Sequence, residues 1–486
     1  MESGQIRLSS APGRWVLVTT VLGSGMAMLD STVVNVALPA LARDLHTGMS
    51  GLQWTINAYT LTLAGLILLG GSLGDRYGRR KIFMIGVVWF ASASALCGLA
   101  PNIEVLILAR ALQGIGGALL TPGSLAIIQA SFAHDDRPRA VGAWSGLGGV
   151  ASAIGPLLGG WLVETAGWRW VFLLNLPLAV VVLAVAARHV PETRDTSVHG
   201  RFDVLGSALA ALALAGVTYG LILGGAGVFP LVAGLVLAAS FVAVEIRRSP
   251  DALVPVGIFS SRVFTAVNVV TLIMYAAMGV VFFLLVVQLQ VSAGFSPIAA
   301  GSAMLPVTIL MLLLSARAGE LAKRIGPRIP MTGGILGCAA GLVLMSRIGP
   351  GASYVVDVLP AAVVFGLGLS TAVAPLTATV LATAEERYAG VASGVNNALA
   401  RTGSLLAVAA VPPLAGLTGE AYNSPAAFTH GFHTAMLVSA AMLAVSALVA
   451  FFTIRTNVLV EAPEPERKVH CSLDAPPIEG DVTHEA

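Results

Sequence analysis

The sequence predicts an all-α integral membrane protein: two six-helix halves plus two inserted helices, 14 transmembrane helices in all. Three observations carry that prediction. Of the 486 residues, 56% are hydrophobic and 11% charged, with a mean hydropathy of +0.86, whereas a soluble domain carries about 25% charged residues. Apolar stretches long enough to cross a bilayer, which takes about 20 helical residues, recur along the chain between charged or Gly-rich joints. Finally, when these stretches are threaded alternately through a membrane, 22 of the 27 Lys and Arg residues fall on one side and three (Arg43, Arg169 and Arg347) on the other, with Arg110 and Arg401 inside helices. Missing one helix in the middle would destroy that asymmetry, so the bias supports both the count and a cytoplasmic placement of the basic side.

Residues 1–14 form a cytoplasmic N-terminus with Arg7 and Arg14. The stretch after it resembles a signal peptide, but it runs beyond 20 residues with no small-residue cleavage site behind it, so it is read as the first retained span. Spans are expected near 15–38, 52–73, 82–100, 104–130, 139–162 and 169–187, making an N-terminal half over 15–187. A linker over 188–262 holds two further spans near 204–223 and 228–246, joined by Gly-rich turn residues. Spans near 263–290, 297–316, 328–347, 354–381, 389–416 and 431–455 make a C-terminal half over 263–455. The tail, 456–486, is Pro-rich, with seven acids against two bases, and reads as a disordered cytoplasmic extension. An even count places both termini in the cytoplasm. Gly71-Ser-Leu-Gly-Asp-Arg-Tyr-Gly-Arg-Arg80 is echoed by Gly319-Glu-Leu-Ala-Lys-Arg-Ile-Gly-Pro-Arg328 at five positions, in joints of equivalent order. That echo suggests two halves related by a parallel repeat, as in carriers that alternate access around a midplane site.

Asp30 lies near the middle of the first apolar stretch. An ionised acid at that depth costs several kcal/mol, so it marks an ion or substrate path and points to a carrier. Arg110 and Gln113, at i and i+3, share a helix face, and Asp30 is the only acid comparably deep in the N-terminal half. Arg110 is therefore read as modulating proton uptake on Asp30, since a nearby cation favours the ionised acid while burial disfavours it. The alternative is an arginine that snorkels or bridges helices. In the joint Asp75, Arg76, Gly78, Arg79 and Arg80, positive-inside anchoring accounts for the bases but not for the interleaved Gly and Asp, which point to a gating turn. Small residues recur every four positions along two stripes: Ala151, Gly155 and Gly159 on one, and Gly148, Ser152, Pro156 and Gly160 on the other. Two stripes and a proline read as a bendable, sliding helix contact. Asn35, Trp54, Asn57, Tyr59, Gln113, Tyr275, Asn396, Asn397 and Arg401 are candidates for a substrate cavity, although each singly could be a bridging or interfacial group.

Five motifs in order, LDSTVVNVALP (29–39), GSLGDRYGRRK (71–81), LILARALQGIGGA (106–118), GVASAIGPLLGG (149–160) and WRWVFLLNLP (168–177), resemble the major facilitator superfamily, and within it the fourteen-spanner drug:proton antiporters. SGVNNALARTG (393–403) extends the likeness to nearly the whole membrane portion. The resemblance implies export of amphipathic drugs or antibiotics across the cytoplasmic (inner) membrane, with drug resistance as its consequence. It implies Asp30 as the proton-coupling acid, Arg110 as a buried basic relay, Asp75 and Arg79 as a gate, and Gly155 and Pro156, with Gly159 and Gly160, as an antiport hinge. Some relatives that export divalent cations carry a further acid in a C-terminal-half helix; the segment 303–316 has none.

Energy is expected from a proton gradient, with no cofactor, because none of the three lysines (Lys81, Lys323 and Lys468) sits in a Walker A sequence. Cys97, Cys338 and Cys471 have no metal-type spacing. No Ser/His/Asp, paired-carboxylate or metal constellation lies at membrane depth, so an enzyme is not expected. A net charge of +2 gives no reason to expect nucleic acid as a partner. The expected partners are small amphipathic compounds, protons and lipid, with the chain monomeric. Rival readings are a dedicated exporter of one metabolite or self-made antibiotic, and a proton-coupled importer.

Overall fold

The computed structural model describes residues 6–194, 203–248, 256–383, 389–419, 424–456 and 458–459. Among these residues there is no strand, only an isolated bridge between Ile6 and Phe132. Sixteen α-helices account for the fold. In the first half they are α1 (Ala11–Asp44), α2 (Met49–Tyr77), α3 (Arg79–Gly98), α4 (Ile103–Ser131), α5 (Arg137–Thr165), the short α6 (Trp170–Leu173) and α7 (Asn175–His189). The linker holds α8 (Val204–Leu223) and α9 (Val228–Arg248). The second half contains α10 (Arg262–Val291), the short α11 (Pro297–Ser302), α12 (Leu305–Ile325), α13 (Arg328–Met345), α14 (Leu359–Ala382), α15 (Ala389–Leu414) and α16 (Pro425–Thr453).

In lipid each backbone group must find its partner within the helix, which is why apolar runs of this length become helices. Their starts are set by short polar side chains: Ser10, Asn102, Asp203, Ser261, Ser296 and Ser424 each accept a first-turn N–H. Twelve segments are long and apolar enough to cross a membrane, against the fourteen expected. The difference lies at two places. Val204–Arg248 counts as one such segment yet folds as two helices, α8 and α9, and α15, interrupted by Asn396, Asn397 and Arg401, is not among the twelve. Residues 195–202 of the joint and most of the tail lie outside the described residues.

Both halves use the same pairings. In the first, α1 packs on α5 and α7, and α4 on α2 and α3; in the second, α10 packs on α15 and α16, and α14 on α12 and α13. The echoed joints also match in geometry. Gly78 (φ +111°) and Gly326 (φ +83°) both turn through the left-handed region, where only glycine is unstrained. Each is braced by the segment that follows the last helix of its own half, Gly78 by Glu192 and Gly326 by Thr456.

The linker helices form an antiparallel hairpin, closed at its open end by Arg248 and Asp203 at 2.6 Å. There is no room for side chains where Gly216 meets Gly234. The hairpin lies over the seam between the halves, because α8 packs on both α2 and α15. Gly65 of α2 meets Ala211 of α8, and the rings of Trp54 and Tyr219 meet tilted at 48° with centroids 5.7 Å apart. Trp54, a candidate for the substrate cavity, is thus in contact with the inserted pair.

Candidate functional site

Asp30 sits on α1 and is almost completely buried. Its Oδ2 meets Arg110 Nη1 of α4 at 2.5 Å. Its Oδ1 accepts from Gln113 Nε2 at 2.8 Å and Asn175 Nδ2 at 3.1 Å. The guanidinium of Arg110 also donates through Nε to the carbonyl of Thr55 on α2 (3.0 Å) and through Nη1 to Gln113 Oε1 (2.7 Å). It lies over the rings of Tyr59 (4.4 Å) and Phe172 (5.7 Å). Ser94 of α3 closes the network, accepting from Asn175 (2.9 Å) and Gln113 (3.2 Å) while donating to the Phe172 carbonyl (2.8 Å). One carboxylate thus ties together α1, α2, α3, α4 and α7.

That geometry bears on the chemistry. An ionised Asp30 suits the arrangement, since three donors converge on a group that only accepts. A proton on Oδ1 would point an O–H at two N–H donors, and one amide would have to turn. A change at this carboxylate would therefore disturb a network that spans five helices. It also means that Asp30 is not a free anion waiting in a cavity for a cationic compound.

Sequence reasoning paired Asp30 with Arg110 by elimination, and the structure brings them together. It missed Asn175 and Ser94. Asn175 stands within the stretch WRWVFLLNLP, and a lone polar residue in such an apolar run was the available signal.

At the basic end, Arg79 pairs with Asp75 at 2.8 Å. Arg80 donates to the Val190 carbonyl (3.0 Å), and the Glu192 carboxylate accepts the backbone N–H groups of Arg80 and Lys81, both at 3.1 Å. Arg76 lies in the last turn of α2. The joint is therefore locked to residues 190–193 of its own half. Glu192, which the sequence reading did not single out, acts as the cap of α3 from a distance. Replacing Glu192 with Ala is expected to cost about 1 kcal/mol, seen as a melting temperature lower by a few degrees, and Glu192→Gln should retain part of that loss.

The two small-residue stripes of α5 meet different partners. Ala151, Gly155 and Gly159 pack on α1, where a side chain at 155 would strike Thr32 and one at 159 would lie 2.8 Å from Val33. Gly148, at the other stripe's start, also meets α1 through Met28 at 3.0 Å. Pro156 and Gly160 instead meet α11 of the second half. A Cβ at 160 would lie 2.6 Å from Pro297 O, and one at Gly301 would strike the Pro156 carbonyl. Pro156 falls inside α5, which runs on through it.

Other contacts between the halves gather at the same end. Gln290 Nε2 donates to the Val36 carbonyl (3.0 Å), and Gln53 Nε2 donates to Val408 O (2.7 Å) and Ala409 O (3.3 Å). Away from that end the seam is touched at Leu68 and Gly394, 2.9 Å from a Cβ built there. Along the opposite half of α5, a side chain at Gly142, Gly146 or Gly149 would meet open space.

The cavity candidates separate. Asn396 bridges to Asn268 (3.1 Å) and Thr271 (2.9 Å) of α10, and Asn397 is exposed and bonds within its own helix. Asn35 is half-buried on α1 and donates to Ser31 O. Asn57 is fully buried with neither amide atom partnered, and Arg401 is half-buried with Nε unpartnered. Tyr59 and Tyr275 are the titratable groups in electrostatic reach of Arg401.

The family model described as "Major Facilitator Superfamily" matches residues 20–408, from α1 into α15. The chain belongs to the major facilitator superfamily. It is thus a multi-pass membrane transporter. A puromycin resistance protein of Streptomyces alboniger is 34% identical over 459 residues, covering 90% of this chain and 91% of the relative. A multidrug resistance protein of Mycobacterium tuberculosis (strain ATCC 25618 / H37Rv) is 33% identical over 403 residues, 81% of this chain and 74% of the relative. A methylenomycin A resistance protein of Bacillus subtilis (strain 168) is 32% identical over 461 residues, 93% and 96%. Among solved structures, a peptide transporter in complex with sulfate superposes with TM-score 0.69 at 13% identity, covering 93% of this chain and 98% of that one. A D-xylose–proton symporter does so with TM-score 0.65 at 15% identity, 91% and 98%. At such identities these two speak for the fold alone.

Proposed function

We propose that this transporter exports amphipathic drug-like compounds across the cytoplasmic membrane by alternating access, driven by proton entry, and so confers drug resistance. The observation that carries the coupling is the Asp30 network: a buried carboxylate held by Arg110, Gln113 and Asn175. Three relatives bearing the names of antibiotic or multidrug resistance proteins support the direction and the substrate class.

The excess of Lys and Arg at the α2–α3 end supports placing that end, and both termini, in the cytoplasm. With contacts between the halves gathered at the far end, the conformation then reads as inward-facing. Compound enters from the cytoplasm or inner leaflet; the halves rock and the compound leaves outside as a proton from outside reaches Asp30 and turns one of its amide partners; the protonated carrier returns inward and releases the proton to the cytoplasm, which restores the network. No ligand cofactor is invoked, and the chain works as a monomer. The joint from Asp75 to Arg80, locked to residues 190–193, moves with its half and gates the inner mouth.

The test is proton release from energised inverted vesicles on adding a panel of lipophilic cations, neutral antibiotics and organic acids. Release on adding several unrelated compounds is expected. A response to one compound alone would make the chain a dedicated exporter. Proton uptake accompanying substrate movement in the same direction would make it an importer and overturn the proposal.

A further inference from the structure

We infer that Arg401 is the substrate-pairing cation of the central seam and that the compounds preferred there carry an acidic oxygen, such as a carboxylate or an acidic enol or phenol. The inference rests on the export reading and names its substrate class.

Asp30 is consumed by Arg110, which leaves Arg401 at the thirteenth position of the 26-residue α15. Among the described residues it makes no hydrogen bond or ion pair, and its Nε is buried and unpartnered. The described acids of the second half are Glu320, in the last turns of α12, and Asp357, just before α14, and neither forms an ion pair with Arg401. A guanidinium at this depth is costly without a counter-charge. Among the described residues no acid supplies one here.

The next step is where Arg401 points along the seam. Gly394 of α15 meets Leu68 of α2, and the carbonyl of Val408 accepts from Gln53 of α2. Gly394, Arg401 and Val408 are seven residues apart, about two helical turns, so Arg401 stands on the α2-facing stripe midway between two observed contacts. On α2, Asn57 lies on the corresponding stripe. At about 100° per residue it falls between the directions of Gln53 and Leu68. Asn57 is completely buried, and neither its Oδ1 nor its Nδ2 has a partner.

The facing stripes of the two halves therefore hold a cation without an anion and, within about one turn of it, an amide with unused donors. An acidic oxygen meets both needs: it pairs with the fork of the guanidinium and accepts from the amide. Because α2 and α15 belong to different halves, such a ligand would bridge the parts that must move.

The experiment uses the full chain in lipid nanodiscs and three probes that share one ring system: anthracene-9-carboxylate, anthracene-9-carboxamide and protonated 9-(aminomethyl)anthracene. Fluorescence titration should show the carboxylate binding at least tenfold more tightly than the amide, with the ammonium weakest. Arg401→Gln should bring the carboxylate down to the affinity of the amide, and Arg401→Lys should restore part of the difference. Equal binding of carboxylate and amide by the native chain, or a preference that survives Arg401→Gln, overturns the inference; the native-chain comparison stands even if a variant fails to fold. Inverted-vesicle transport of the same probes separates the two readings. Carboxylate preference in binding without transport of any probe leaves the anion site and sinks export. Transport of amide and ammonium with no advantage for the carboxylate leaves export and sinks the anion site.

Discussion

Asp30→Asn is expected to reduce substrate-driven proton movement at least about 100-fold, to the background of empty vesicles, because the substituted amide neither takes nor releases a proton. The same change should destabilise the protein. It leaves the guanidinium of Arg110 buried without a counter-charge, and removing one partner of a buried ion pair costs about 3–5 kcal/mol. Arg110 is 1% exposed and cannot reach water to recover that loss. Part of the penalty is softened by Tyr59, Phe172, the Thr55 carbonyl and Gln113, which still contact the guanidinium. Removing the second charge as well, in Asp30→Asn with Arg110→Gln, should recover most of the melting temperature, since no uncompensated charge then stays buried and Gln113, Asn175 and Ser94 can still bond the two amides. It should recover none of the proton coupling. If the double variant were as stable as the native chain and still coupled, Asp30 would be no more than a structural anchor. If Asp30→Asn alone coupled normally, the proton site would lie elsewhere. The two readouts together separate an acid kept for transport from one kept for folding.

How much of this was legible in the sequence depends on whether a residue's partner could be identified without coordinates. Asp30 and Arg110 could be paired because the first half offers one deep acid and one deep base. Asn175 and Ser94 complete the same network, but polar neutral residues are numerous and nothing in spacing tells which of them converge. Glu192 escaped for a different reason: it caps α3 from 112 residues downstream of Arg80, through backbone N–H groups that no pattern displays. The repeat of five identities in ten positions looked weak, yet the two joints share left-handed glycines at 78 and 326, because turn geometry is held by those few residues alone. Helix existence followed from hydropathy, while α15 falls short as an apolar span because Asn396, Asn397 and Arg401 lower its hydropathy. The stripes of α5 were visible as stripes. Their partners were not, since α1 and α11 present similar small and apolar residues.

That last distinction predicts opposite outcomes for two glycines five residues apart on α5. Gly155→Leu should damage the first half itself, because the side chain would strike Thr32 of α1, its neighbour within the half. Overpacking of this kind costs about 1–3 kcal/mol, read as a lower melting temperature with loss of folded protein. Gly160→Leu acts between halves. Its Cβ would lie 2.6 Å from both Pro297 O and Ile298 Cα, backbone atoms that cannot turn aside as a side chain would. The strain is relieved by separating α5 from α11, and α11 belongs to the half that must move away in the alternating cycle. Gly160→Leu should therefore keep nearly the native melting temperature while populating a state open at the far end. A thiol at Val36 reports that state, since Val36 is fully buried and would lie 3.5 Å from a Cβ on Gly301. With the native Cys97, Cys338 and Cys471 replaced, Val36→Cys should react with an impermeant maleimide at least tenfold faster in the Gly160→Leu background, and transport should fall by a similar factor as the inward-facing state is depopulated. Unchanged labelling with a lowered melting temperature would mean that the contact between α5 and α11 is packing alone and that the seal at the far end is held elsewhere, at Gln53 and Gln290.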